Sequence, residues 1–494
     1  QRIPGVSIDR DAGEGRSLTV RGLSSEFTRT RINGIEAQAT TGATDSSGGV
    51  NRGRGFDFNV FASELFNSIT VRKTASAEIE EGSLGATVDL QVARPFDYQG
   101  FTAVASTQAS YGDLSGDWNP RAAALISNTW ADGTFGALFS IAYTQRDLVE
   151  EGHSTVRWDR GTSSGNFSAA SPYAPARDAN AFHPRLPRYG VLEHSQERLG
   201  VTTSLQWQAA ERTRFTFDML YSKFDATRAE NFLQAQSFSR AANGKPQTIV
   251  TDGVVDSRGN LVYGVFDNVD LRSEARYDEL STTFRQFTLN GSHEVSDRFR
   301  IDGLVGYAKS AFDNPIQTTI TLERANSNGY SWDYRGNDRL PVINYGFDVA
   351  NPANWAWLTS ADATAAGSQG SEIRLRPQTA DNTFRNARLD FAWDVGYSWT
   401  IKTGASWKDF EFNTSEQRRS SEANVPGLPA GTITEHLAPW ACRSRHDNLQ
   451  ALRADMASRN AQWHLISALD DIGPEALRSP QLVARVRSED VAEV

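Results

Sequence analysis

The sequence predicts a small α+β unit followed by the antiparallel strands of a membrane-spanning β-barrel. Three observations predict it. Near residue 100 the period of the apolar residues changes to two, and it stays there for about three hundred residues. The connections between these alternating runs are short and long by turns. Mean hydropathy is low, at -0.49, although glycine is frequent and 10% of the residues are aromatic. No stretch is apolar enough for a transmembrane helix. A barrel strand needs none, because half of it faces water.

The α+β unit is predicted over residues 1–99. Ser17 to Gly22 and Arg29 to Gly34 read as short strands, with Asn33-Gly34 as a hairpin turn. Residues 40–55 are rich in Gly, Ser and Thr and read as loop. Asp57 then stands as an N-cap before Phe58, Phe61, Leu65, Phe66 and Ile69, whose spacing predicts a helix. Ile69 and Val71 begin a further strand, a polar link with Gly82 and Gly85 comes next, and Thr87 to Val92 form the last strand before Arg94-Pro95.

From residue 100 the reading is strand after strand. Phe101, Ala103, Ala105, Thr107, Ala109 and Tyr111 share one face. Phe135 to Tyr143, Leu199 to Trp207, Phe215 to Tyr221, Phe287 to Leu289, Phe299 to Tyr307, Leu389 to Val395 and Trp399 to Trp407 repeat the pattern. The links at 131–133, 208–212, 294–298 and 396–398 are short; those at 147–195, 226–282 and 311–383 are long. Tight turns at one end and long loops at the other are the signature of an outer-membrane barrel, and long structureless loops are uncommon in soluble domains. Tyr111, Trp130, Tyr143, Trp207, Tyr221, Tyr307, Trp399 and Trp407 suit interfacial girdles.

Other classes find no support. A net charge of -10 argues against nucleic acid, whose phosphates call for a basic surface. Cys442 is the one cysteine and has no internal disulfide partner. The run "GTSSG" at 161–165 has the spacing of a nucleophile elbow without the strand-turn-helix context. The seven histidines are scattered, with no pair at metal-ligand spacing. The reading is therefore not an enzyme, with no cofactor and no metal.

The motifs "LTVRG" (Leu18 to Gly22), "RING" (Arg31 to Gly34), "ITVRKTASAEIEEGSLGATVDL" (Ile69 to Leu90) and "ARP" (Ala93 to Pro95), in this order and spacing, resemble the plug domain of TonB-dependent outer-membrane transporters. The alternating strands from residue 100 onward resemble the beginning of their barrel. The likeness covers about residues 1–420. It implies a plug at 1–99 lacking its first strands, barrel strands with extracellular loops at 100–420, and an atypical tail at 421–494. The barrel type has 22 strands and is wide enough to need a plug. About nine strands are visible, too few to close it, so the sequence predicts a truncated or frame-shifted chain; in the tail, Leu449 to Leu469 suggest short helices.

The resemblance implies active uptake of a nutrient across the outer membrane of a Gram-negative bacterium. An oligosaccharide is favoured because the variants at Thr74-Ala75 and Gly85-Ala86 look like a carbohydrate-uptake subgroup; a ferric siderophore is second. The partners implied are the TonB complex, whose contact segment is not visible, and outer-membrane lipid. A porin or adhesin is the alternative. Arg21, Gly22, Arg31, Asn33, Gly34, Arg72, Lys73, Gly82 and Gly85 carry the plug motifs. Arg21, Arg29, Arg31, Arg52, Arg54, Arg72 and Lys73 are expected to face acids of the barrel wall. Candidate ligand contacts are Trp332, Tyr334, Arg335, Trp355 and Trp357 in the loop at 326–358, and Asp45, Asn51 and Arg52 at the plug apex.

Overall fold

The computed structural model describes residues 3–11, 13–42, 55–74, 82–98, 100–395 and 399–423. The N-terminal unit opens with a hairpin, β1 (Val6–Asp11) and β2 (Glu14–Val20). Next comes a four-stranded sheet, built from β3 (Thr28–Ile32), β4 (Ile35–Glu36), β5 (Phe66–Arg72) and β6 (Ala86–Val92) in the order β4-β3-β6-β5. The predicted hairpin turn is there. Asn33 and Gly34 both have positive φ, 51° and 90°, as the tight two-residue turn requires. β3 and β6 are parallel, with Arg31 opposite Asp89.

The helix expected after Asp57 is not formed. Residues 58–60 and 63–65 are single 3-10 turns, and the chain then extends into β5. Pairing of β5 with β6 takes up the backbone from Phe66 onward, which leaves too few residues for a stable helix. Asp57 caps nothing with its side chain; the carboxylate instead accepts from Arg16 Nε at 3.0 Å and Thr41 N at 2.7 Å.

The rest of the chain builds one antiparallel wall. It rises through β7 (Thr102–Tyr111), returns through β8 (Trp118–Trp130) and rises again as β9 (Phe135–Ser154). Two short strands, β10 (Trp158–Arg160) and β11 (Phe182–Pro184), lie in the loop beyond it. β12 (Arg188–Ala210) descends and β13 (Thr213–Ala235) ascends. β14 (Ile249–Val255) and β15 (Leu261–Asp267) belong to the outer end; β16 (Val269–Ser296) and β17 (Phe299–Ser327) are the longest pair. Outer strands β18 (Tyr330–Asp333) and β19 (Val342–Asn344), helix α1 (Ser360–Ala366) and β20 (Ile373–Leu375) precede β21 (Gln378–Val395) and β22 (Trp399–Glu416). The wall runs β22-β21-β17-β16-β13-β12-β9-β8-β7, with β20 also paired to β17. Among the described residues β7 and β22 are its edges.

The wall has nine strands, close to the number expected, although β8 is not among the eight alternating runs read from the sequence, and the strands are longer than expected. β16 and β17 have 28 and 29 residues, so the long links shrink to 155–187, 236–268 and 328–377. Beyond the membrane band charged residues such as Glu197, Lys223, Asp225 and Glu279 enter the outward face, so clean hydrophobic alternation, the signal used to find the strands, ends while hydrogen bonding continues. In the band, the outward face exposes Phe139, Ile141, Leu199, Leu205, Leu289, Val305, Leu389 and Ile401. This surface suits lipid, not water. Trp130 packs on Phe135 and Trp207 on Phe215 beside the short turns, and Tyr111 on Trp118 at the other end, as girdles do.

The N-terminal unit packs on the inward face. Ile32, Ile35, Phe56, Val60, Phe61 and Val88 share one core with Leu220, Phe224, Leu280, Phe284, Leu304, Phe312 and Phe384 of the wall. Phe61 meets Phe284 edge-on with ring centroids 5.0 Å apart. Each such buried phenyl contributes about 2 kcal/mol. A second core, around Phe167, Phe238, Phe266, Tyr330 and Trp332, holds the outer loops together over the sheet β14-β15-β18-β19.

Candidate functional site: the seam between small domain and wall

The sequence motifs of the small domain converge on one carboxylate. Asp89, in the middle strand β6, accepts from Arg31 Nε at 2.6 Å and Nη2 at 2.9 Å, and from Arg72 Nε at 2.8 Å. Burial pushes the Asp89 carboxyl up, but the bonds to Arg31 and Arg72 outweigh it and hold the group below the usual carboxylate range. Arg29 pairs with Glu36 at 3.1 Å. Lys73 donates to the carbonyl of Pro4, and Arg21, with φ of 56°, is exposed. The expectation that these cations face acids of the wall is therefore overturned for the residues described. β3, β5 and β6 lie side by side, so internal partners are nearer. Arg52 and Arg54 lie outside the described residues, as do Asp45 and Asn51.

Across the seam the charges are mostly arranged the other way round. Arg198 of β12, 4% exposed, reaches both oxygens of Glu14 and the carbonyl of Asn59. Arg146 Nη1 stands 3.1 Å from the same Glu14, and Arg121 of β8 pairs with Glu64. The reverse polarity occurs once in this set, where Arg94 Nη2 meets the buried Asp218 at 2.6 Å. Neutral bonds complete the contact. Gln286 Nε2 donates to Ile32 O at 2.7 Å, Thr282 Oγ1 to Thr40 O at 2.7 Å and Ser222 Oγ to Val60 O at 2.9 Å.

Glycines of the wall make room for the small domain. A Cβ on Gly306 would stand 2.6 Å from Ile35 Cγ2, and one on Gly136 2.8 Å from Pro95 Cβ. The turn at Gly34 in turn rests on Leu304, where a Cβ would come within 3.1 Å of Cδ1. Gly85 is tied inside the small domain: its N–H donates to Phe27 O at 3.0 Å, and a Cβ would lie 3.2 Å from that oxygen. Gly22 and Gly82 have positive φ, 76° and 104°, which glycine adopts freely.

The aromatic ligand surface expected in the loop at 326–358 is not open. Trp332, Tyr334 and Trp355 are 0%, 5% and 2% exposed. The indole N–H of Trp332 donates to Leu261 O and that of Trp355 to Val349 O, and Tyr334 bonds to His153 at 2.9 Å. Trp357 is half-buried against the same core. These rings solve a local problem: loops this far from the lipid need an apolar core of their own, and the aromatics supply it. Arg335 is exposed and bonded to Asp333. The acids and arginines of the seam went unrecognised in the sequence. Their signal was strand parity, since Arg121, Arg146, Arg198 and Asp218 all fall on inward positions.

A small mixed domain seated on the inward face of a lipid-facing antiparallel wall defines a plugged outer-membrane barrel protein. Residues 1–87 match the family model described as TonB-dependent Receptor Plug Domain, so the small domain is similar to the plugs of TonB-dependent receptors, proteins of the Gram-negative outer membrane. No curated protein matches the sequence. Solved structures with similar folds include the siderophore receptor PirA from Acinetobacter baumannii, at 10% identity and a TM-score of 0.25 over 85% of this chain and 75% of that one. A mutant of the ferric enterobactin receptor PfeA from Pseudomonas aeruginosa, in complex with enterobactin, has 8% identity and a TM-score of 0.26 over 84% and 77%. The alcaligin receptor FauA from Bordetella pertussis has 10% identity and a TM-score of 0.22 over 85% and 73%. Likenesses this distant carry no argument about what the chain binds.

Proposed function

We propose that the chain serves TonB-dependent active uptake of a nutrient, with an oligosaccharide first and a ferric siderophore second. The observation that carries the reading is the seam. The plug is held to the wall by ion pairs, by buried neutral hydrogen bonds and by a shared apolar core, while its own sheet is locked internally through Asp89. Such a domain can shift as a unit. The partly exposed pairs, Arg121-Glu64 and Arg146-Glu14, exchange for hydration at little net cost, whereas Arg31-Asp89-Arg72 keeps the sheet intact under load. Binding alone cannot drive uphill uptake, so the work must come from the TonB complex. The preference for an oligosaccharide rests on the motif resemblance; the buried aromatics at 332–355 no longer support it.

The test is accumulation of labelled ligand by cells carrying the protein, with and without a working TonB complex. Candidate oligosaccharides and iron chelates are supplied in parallel. Uptake that needs TonB supports the reading, and the class taken up decides between the two ligands. Uptake unaffected by loss of TonB sinks the proposal in favour of a porin.

A further inference from the structure

On the outward face of the wall, four neighbouring strands each carry one cation at the same height. Lys223 of β13, Arg285 of β16, Lys309 of β17 and Arg385 of β21 point outward, since both chain neighbours of each are buried inward. Each stands about ten residues from the short-turn end of its strand, at Thr213, Ser296, Phe299 and Val395 in turn. At about 3.3 Å per residue and a tilt near 40°, that is a climb of about 25 Å, the height of the apolar band. Below this belt, the positions sharing its face on the four strands hold no Asp, Glu, Lys or Arg; β17 presents Phe299, Ile301, Gly303, Val305 and Tyr307 there. The belt is the first charge met on leaving the hydrocarbon.

At its centre the belt is unbalanced. Arg285 and Lys309 are directly opposite in the register, and like charges so placed repel. Lys223 has Asp225 at 2.8 Å, Arg385 has Asp409 and Glu411, and Lys309 has Asp381 at the longer distance of 3.8 Å. Arg285 makes no ion pair among the described residues.

The band beneath is hollowed. Gly291 and Gly303 are register partners on the outward face, and in the row above them Ala387 lies between Val305 and Trp407. These small residues leave an apolar furrow between Phe217 and Trp407, floored by Leu289, Val305 and Ala387, that runs up to Tyr307 and Arg385.

We propose that furrow and belt together dock one outer-leaflet lipid built on a diphosphorylated disaccharide, with acyl chains in the furrow and phosphates on the belt. Charge and width single it out. From Lys223 to Arg385 the belt crosses three strand spacings, about 14 Å. That is too wide for one phosphate and suits a headgroup with a phosphate at each end. A phosphate between Arg285 and Lys309 removes their repulsion, and its bonds to the guanidinium are charge-assisted. Glycine and alanine in the floor let the chains lie close against the wall. The site needs only the outer-membrane setting, so its failure leaves the uptake reading untouched.

The test is native mass spectrometry of the purified full chain in detergent micelles. Diphosphoryl lipid A, its phosphate-free form and phosphatidylglycerol are the probes, and the fraction of chains retaining a lipid is followed against lipid concentration. Saturable retention of one diphosphoryl lipid A is expected, with weaker retention of the other two. Arg285→Gln and Lys309→Gln should each weaken it about fivefold, and the double variant more. Gly303→Leu, which fills the furrow and spares the belt, should weaken it as well. Arg212→Gln, at the base of the wall, should leave it unchanged. Heat-modifiable gel migration verifies the fold of each variant; should Gly303→Leu lose it, Ala387→Leu replaces it. Equal retention of the phosphate-free form or of phosphatidylglycerol, or unchanged retention in the folded double variant, overturns the proposal.

Discussion

Leu65 of the plug sits directly over Gly200 of β12. A Cβ at position 200 would stand 2.9 Å from Leu65 Cδ2 and closer still to Cδ1. Gly200 is thus a socket, and its value lies in the side chain it lacks. Substitution Gly200→Val should lift the plug from the wall here and destabilise its seating by about 1–3 kcal/mol. Faster hydrogen exchange across residues 60–66 would register it. Adding Leu65→Ala should restore part of the loss; a double variant no better than the single would refute the steric account.

The Glu14 carboxylate serves two wall arginines, Arg198 and Arg146. Replacing it by Gln leaves a nearly buried guanidinium short of its anion, at about 2–3 kcal/mol. The denaturant midpoint for release of the plug should fall accordingly. Asp297→Asn, which removes the exposed pair with Arg212 at the base of the wall, should change it by no more than about 0.5 kcal/mol. Equal effects from both would mean that the Glu14 cluster is an ordinary surface contact.

Asp89 should make the plug sheet acid-sensitive in a particular window. Its folded pKa is depressed, so its stabilisation is fully present above the unfolded value of about 4 and is lost as pH falls through the folded one. Denaturation of the plug monitored from pH 6 to pH 2 should show a decline confined to the acid end below about pH 4, absent in Asp89→Asn. A variant with the same decline would assign it to another group.

His183 gives the outer loops a milder threshold. It is 1% exposed and lies in β11. Burial, then the nearby Lys245, lowers its pKa from 6.5 to about 4. The unfolded imidazole takes up its proton first, so loop stability is full above about pH 6.5 and declines towards pH 4, by on the order of 3 kcal/mol. Hydrogen exchange around Phe238 and Tyr330 should quicken over that range, and His183→Gln should flatten the response. A flat profile in the unaltered protein would count against it.

Much of the fold was legible because lipid imposes a strict pattern. Phe135 to Tyr143 and Leu199 to Trp207 alternate cleanly, since one face meets hydrocarbon and the other the plug. Where that constraint ends, so does the clean alternation: in residues 188–198 and 269–286 apolar residues such as Val191, Leu271 and Leu280 stand among charged ones such as Glu197 and Glu279, and the strands are held by backbone pairing that composition does not reveal. The segment from Asp57 misled for a related reason. Phe58, Phe61 and Leu65 fall at helical intervals because two 3-10 turns bring all three inward, Phe58 and Phe61 to the main core and Leu65 to a smaller cluster with Ala62 and Ala142. The site was less legible still. Trp332 and Trp355 look alike in sequence whether they stack on a ligand or on each other's loops, and the partners of Arg31 and Arg72 depended on which strands became neighbours.

The length of β16 and β17 has a consequence for reach. At roughly 3.3 Å per residue a strand of this length extends about 90 Å, and with a tilt near 40° it climbs about 70 Å. The apolar band accounts for about 25 Å of that height. The remainder stands clear of the bilayer as a stiff, hydrogen-bonded extension of the wall capped by the second core. Large solutes, antibodies and other cells therefore meet the cap long before they come near lipid, and the entrance is held at a fixed altitude above the cell surface.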